Sequence, residues 1–134
     1  MQLHGDEPVE FCQAVGSAAF KALRPASAAQ LQASLEQFSV LDGQTCQTPR
    51  YLLDASHAQL YGGTGQSVDW RLAGEVATVY PILLAGGLTA HNVGSAICTV
   101  KPWGVDVASG VERAPGQKDA QKLQAFILAA KSSA

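Results

Sequence analysis

Short runs of consecutive apolar residues alternate along the chain with stretches in which apolar positions recur every three or four residues. The first pattern predicts strands covered on both faces, the second amphipathic helices. Ala19–Pro25 (AFKALRP), Arg50–Ala55 (RYLLDA), Tyr80–Ala85 (YPILLA) and Gly104–Ser109 (GVDVAS) read as strands. The opening QLHG reads as the end of another strand, and EPVEFCQAVGS as the helix that follows it. SAAQLQASLEQFS places Ala28, Leu31, Leu35 and Phe38 at helical spacing. Val68–Ala77 (VDWRLAGEVA) predicts a short helix capped by Asp69, and TAHNVGSAICTV a helix with Val93, Ala96, Ile97 and Val100 on one stripe and Thr89 as its cap. A last helix begins near Asp119, with Leu123, Phe126, Ile127 and Ala130 on one face. The order is therefore a strand tail, a helix, and four strand–helix units, each about 25–35 residues long. Strands joined through helices run parallel, because each crossover returns the chain to the same end. Two topologies fit: a doubly wound sheet, or part of a (βα)8 barrel, whose full form needs about 250 residues.

The remaining composition narrows the class. A chain of 134 residues with net charge -2 and 47% hydrophobic residues has the size and balance of one globular domain. The weak acidity supplies no basic footprint, so nucleic acid is not an expected partner. No apolar run approaches the roughly 20 residues of a membrane span, and the opening MQLHGDEPVE lacks a basic segment leading into an apolar one, so neither a membrane nor a signal peptide is expected. Cys12, Cys46 and Cys98 are odd in number and widely spaced. They fit thiols in a reducing, cytoplasmic setting better than a disulfide framework or a zinc site.

Candidate chemistry gathers where strands end. Gly86 and Gly87 follow the run YPILLA directly. They serve either as a tight turn or as a turn whose N–H groups bind an anion. Ser109 and Gly110 end the next strand in the same way, and barrel enzymes often hold a phosphate between two such successive loops. Asp54 and Asp106 each interrupt an apolar strand near its carboxyl end, where a carboxylate is costly unless it faces a polar mouth; each reads either as a general-acid candidate or as a hydrogen-bonded structural carboxylate. His4 also lies at a strand end, as a site residue or a structural one; Arg24 could face the same mouth or solvent; His57 and His91 read as surface residues. The glycine-rich stretch Leu60–Trp70 (LYGGTGQSVDW) matches neither a dinucleotide fingerprint nor a P-loop, and reads as a lid or an ordinary loop.

Taken in order, QLHGDE, FKALR, LLDA, YGGTGQSVDW, LAGGLTAHNV, PWGVDVASGVE and PGQKDAQKLQAFI resemble the phosphoribosylanthranilate isomerase family across nearly the whole chain. The resemblance implies an α/β fold of the (βα)8 TIM-barrel family, represented by roughly its C-terminal half, from the end of strand 4 through helix 8, with residues 1–134 one partial barrel domain. It implies no cofactor, no metal, and a small phosphorylated substrate. The implied reaction is the Amadori rearrangement of N-(5'-phosphoribosyl)anthranilate, an aminoaldose, to the corresponding 1-deoxyribulose phosphate in tryptophan biosynthesis. By motif, Asp54 is the general acid, His4 and Asp106 contact substrate, and Gly86, Gly87, Ser109 and Gly110 hold the phosphate.

The resemblance departs in one place. The family's general base is a cysteine in a K-x-C-G motif on strand 1, assisted by an arginine after strand 2, and none of Cys12, Cys46 and Cys98 sits in such a motif. The chain alone is then expected to have little activity, and to dimerise, to associate with an N-terminal half-barrel, or to aggregate through exposed strand edges. The other readings are a non-catalytic phosphate-binding remnant and another phosphate-binding barrel enzyme. The latter calls for catalytic lysines or metal-binding histidines at strand ends, and Lys21 is the only lysine in an expected strand.

Overall fold

The computed structural model describes residues 1–39, 49–55 and 69–134. Five strands, β1 (Gln2–Leu3), β2 (Phe20–Leu23), β3 (Tyr51–Asp54), β4 (Ile82–Ala85) and β5 (Gly104–Val105), form one sheet in the order β1-β2-β3-β4-β5. Every pairing is parallel. Strand order follows chain order without the reversal that marks a doubly wound sheet. Helices α1 (Val9–Val15), α2 (Ala28–Phe38), α3 (Trp70–Ala77), α4 (Val93–Val100) and α5 (Ala120–Lys131) lie between and after the strands.

Strand alternation divides the sheet into two unlike faces. Leu3, Leu23, Tyr51, Leu53, Ile82 and Leu84 pack against helix residues Leu31, Leu35, Phe38, Ala73, Val76, Val93, Ala96, Val100 and Phe126 in the main core. The opposite face carries a small cluster of Ala22, Leu52 and Ala85, flanked by Phe20 and Leu83, with no helix residue in it among the described residues. A one-residue slip of any central strand would exchange these faces, so burial of the helix side sets the register. Tyr51 is fully buried, stacks edge-on to Tyr80 and donates from its hydroxyl to the Phe38 carbonyl at 3.3 Å, joining β3 to the end of α2.

Helix starts follow local chemistry. Ser27 accepts from the Gln30 N–H, Asp69 from Leu72 at 2.8 Å, and Asp119 from both Gln121 and Lys122, so each satisfies a donor the helix leaves open. The Lys122 and Gln121 N–H groups hold the Asp119 carboxyl below its ordinary range, the Lys122 bond contributing most. Several sequence expectations are corrected. Thr89 does not cap α4: residues 89–92 form a turn, and the helix starts at Val93 after Asn92. The strand expected over 104–109 ends at Val105, although the Asp106 N–H still donates to Leu84 at 2.8 Å. Two further strands, β6 (Glu112–Ala114) and β7 (Gln117–Lys118), form an antiparallel hairpin that the apolar pattern does not predict, so Lys21 is not the only strand lysine. On α5, Phe126 is buried, but Leu123 and Ile127 are exposed. Cys46, His57 and most of the Leu60–Trp70 loop lie outside the described residues.

Candidate active site

Parallel pairing brings every strand's carboxyl end to one edge of the sheet. Asp54 pairs with Ala85, and the Ala55 N–H donates to the Ala85 carbonyl at 2.9 Å. Extending the registers Leu23–Leu53 and Leu84–Val105 by one residue sets Arg24, Asp54, Ala85 and Asp106 in one row, with the parity of the helix-free face. Adjacent strands lie about 4.8 Å apart, so Asp54 and Asp106 stand roughly 10 Å from each other across the small Ala85. Asp54 is half-buried and Asp106 exposed. Arg24, itself well exposed, brings its Nε to 3.9 Å from the Asp54 carboxylate, a loose pair worth little to stability but a cation facing the acid. His4 follows β1 at the same edge and is exposed; His91 is exposed in the turn before α4.

Beyond Ala85 the chain turns through Gly86 and Gly87, at φ of 98° and 63°, a region where a side chain would be strained. The Asn92 side chain spans this turn. Its Oδ1 accepts from the Thr89 N–H at 2.8 Å and its Nδ2 donates to the Gly87 carbonyl at 3.0 Å. The loop after β5 reaches the same place. Ser109–Val111 form a short 3₁₀ turn, and a Cβ on Gly110 would overlap the Leu88 carbonyl oxygen. Gly110 is therefore required by close backbone approach between the two loops. Behind them, Lys118 donates to the Ala108 carbonyl at 2.8 Å and to Glu112 at 3.0 Å, and that bond draws the Glu112 carboxyl below its ordinary range.

The β1 end of the rim is built differently. Lys21 lies on the helix side of β2 and is buried, and its Nζ donates to the Gly5 carbonyl and, at 2.6 Å, to Glu7. Glu7 in turn accepts from the Gly5 N–H at 3.1 Å, so both polar groups of Gly5, the residue after His4, are held. The hydrogen bond from Lys21 takes the Glu7 pKa from 4.5 to about 2. A carboxyl depressed in the folded state stabilises it fully above its unfolded pKa and loses that contribution as pH falls toward the folded value. Denaturant midpoints are thus expected to fall between about pH 4.5 and pH 2 more steeply in the unsubstituted chain than in Glu7→Gln. Equal slopes would remove the pair from acid stability. Cys12 lies nearby; burial pushes its thiol up, which suits packing rather than proton abstraction.

The sequence expectations placed Asp54, Asp106, His4, Gly86, Gly87, Ser109 and Gly110 at strand ends, and all seven lie along this rim. Asn92, Glu7 and Lys21 were missed. A lysine inside an apolar strand and an asparagine five residues after a glycine pair are the signals that would have pointed to them. Among the described residues, no group of three or more His, Cys, Asp or Glu could hold a metal, and no helix is long and apolar enough to cross a membrane.

A parallel sheet that collects acids, a cation and glycine turns at the carboxyl ends of its strands has the layout of the α/β enzymes. The family model for N-(5'phosphoribosyl)anthranilate (PRA) isomerase matches residues 1–129, and the chain belongs to that family. It is 45% identical over 132 residues to N-(5'-phosphoribosyl)anthranilate isomerase of Geobacter sulfurreducens, covering 98% of this chain and 60% of that protein. The crystal structure of phosphoribosyl anthranilate isomerase from Thermotoga maritima superposes with a TM-score of 0.74 at 36% identity, over 98% of this chain and 60% of that one. A crystal structure of the isomerase in complex with reduced 1-(o-carboxyphenylamino)-1-deoxyribulose 5-phosphate superposes equally, with a TM-score of 0.74 at 33% identity, over 98% of this chain and 58% of that one. The chain thus spans about 60% of the length of the curated relatives it matches.

Proposed function

We propose that these residues form the part of a (βα)8 barrel running from the end of strand 4 through helix 8, and that the barrel catalyses the Amadori rearrangement of N-(5'-phosphoribosyl)anthranilate in tryptophan biosynthesis. The observation that carries the reading is the Asp54–Ala85 pair, with Asp106 one residue beyond the Leu84–Val105 pair and the Gly86–Gly87 turn above them, in a chain of this family. Helices on one sheet face and a strand order without reversal support a barrel segment over a doubly wound sheet. A barrel face without helices is the one that turns inward.

In this reading Asp54 is the general acid. It protonates the furanose ring oxygen as the anilino nitrogen's electron pair forms C1=N and the C1–O bond breaks. A base then removes the C2 proton to give an enolamine, which becomes the ketone as C1 takes up a proton and the C2 hydroxyl loses one. Substrate and product are isomers, so no external electron acceptor or cofactor is called for. The K-x-C-G cysteine that serves the family as base has no counterpart in these residues, and this part contributes acid and anchor. His4 and Asp106 contact the substrate. Gly86, Gly87, Ser109 and Gly110 grip the phosphate with fixed backbone dipoles, so that binding energy from the distant ester positions the ring. The partner is an N-terminal half-barrel or a second copy. The β1 and β5 edges and the exposed Trp103, Leu123, Ile127 and Leu128 offer it surface. In this reading the protein is cytoplasmic, where the tryptophan-pathway isomerases of this family would act.

The test is complementation. Mixing the chain with the N-terminal portion of the Geobacter sulfurreducens relative is expected to give isomerase activity that neither piece has alone. Absence of activity in a mixture shown by sedimentation to be assembled would sink the proposal.

A further inference from the structure

We propose that Asn92 is a positioning residue that sets the shape of the Gly86–Gly87 turn and, through the Leu88 backbone, its distance from Ser109–Gly110, so that phosphate affinity depends on a side chain that does not touch the phosphate. The inference rests on the phosphate reading of those four residues. Three observations carry it.

The Asn92 amide is used at both ends on one short segment. Its oxygen holds the Thr89 N–H and its nitrogen the Gly87 carbonyl, which fixes the peptides on either side of Leu88. The turn it spans has two successive glycines at positive φ, a stretch with few steric restraints of its own, so external bonds decide its conformation. The Leu88 carbonyl between those two bonds is the group that meets Gly110, with no room for a methyl. The Leu88 side chain is buried in the core, which leaves the backbone as the adjustable part. Moving the amide therefore moves the Leu88 carbonyl, and with it the spacing of the two loops. Asparagine alone among the standard residues of this length offers both a donor and an acceptor in one plane. Aspartate keeps the acceptor and loses the donor.

The experiment has a ligand-free and a ligand-bound arm, both in the full chain. Without ligand, Asn92→Asp and Asn92→Ala are expected to shift the amide resonances of Gly87, Thr89 and Gly110 while those of β2 and β3 stay in place. Shifts at Gly87 and Thr89 that leave Gly110 unmoved would overturn the coupling between loops. With ligand, calorimetry compares reduced 1-(o-carboxyphenylamino)-1-deoxyribulose 5-phosphate with the same compound lacking its phosphate. Each variant is expected to weaken the phosphorylated ligand about tenfold, the scale of one or two hydrogen bonds, and to leave the other unchanged. Equal weakening of both ligands, or of neither, would overturn the proposal. Failure of the unsubstituted chain to prefer the phosphorylated ligand would overturn the phosphate reading itself. In the completed barrel the variants are expected to raise KM with little change in kcat, the mark of lost uniform binding.

Discussion

Asp54→Asn is expected, on the proposed acid role, to lower the isomerase rate of the completed barrel by about 10²–10⁴-fold, the usual loss when a positioned acid is removed. The substitution keeps size and shape, so the Asp54–Ala85 register and the neighbouring Ala55 bond to β4 stay as they are. The proposed proton donor for the ring oxygen is removed, and the affinity for the reduced product analogue is expected to change little, because that compound is already open. A steady-state assay of kcat beside a binding titration separates the two. A near-normal kcat would take Asp54 out of the acid role and leave the rim without a proton donor in the proposed place. Arg24→Gln offers the contrast: at 3.9 Å and well exposed, its pairing with Asp54 contributes little, and its removal is expected to leave thermal stability nearly unchanged.

The largest effect on stability is expected from Leu84→Ala. Leu84 is fully buried on the helix face of β4, between β3 and β5, and its carbonyl receives the Asp106 N–H. Truncating a leucine in such a setting costs about 2–5 kcal/mol, from lost transfer energy and the cavity left behind. That is a large share of the roughly 5–15 kcal/mol by which a domain of this size is stable. Leu83→Ala, on the other face and only half-buried, is expected to cost markedly less. Paired denaturant melts of the two variants measure the difference. Equal costs would mean that the helix-free face is as tightly packed as the helix side.

Much of the fold was legible because its strands are covered runs and its helices carry stripes. RYLLDA and YPILLA are apolar almost without break, as parallel strands require, and they became β3 and β4. Asp69 was readable as a cap because it stands directly before its helix. What escaped depends on partners distant in sequence or on short turns. The β6–β7 hairpin is only a few polar residues around Pro115–Gly116, with no apolar alternation to announce it. Lys21 looked like an ordinary strand residue. Its burial depends on Glu7, fourteen residues earlier, and on Phe38, whose ring lies 5.5 Å from its ammonium. Thr89 and Asn92 both suit a helix cap by residue type, but neither side chain caps α4: Thr89 accepts from the His91 N–H within the turn, and Asn92 reaches back to the Thr89 N–H and the Gly87 carbonyl. On α5 the apolar spacing marks the helix, but spacing does not say whether a covering surface is present, and Leu123 and Ile127 are exposed.

The contact between Gly110 and the Leu88 carbonyl has a practical bearing on engineering. Segments 86–92 and 106–112 form a single cassette: a graft that transfers one without the other would meet a mismatched backbone at that point. Redesign of ligand preference in this scaffold therefore calls for libraries that vary both segments together, with position 110 kept as glycine.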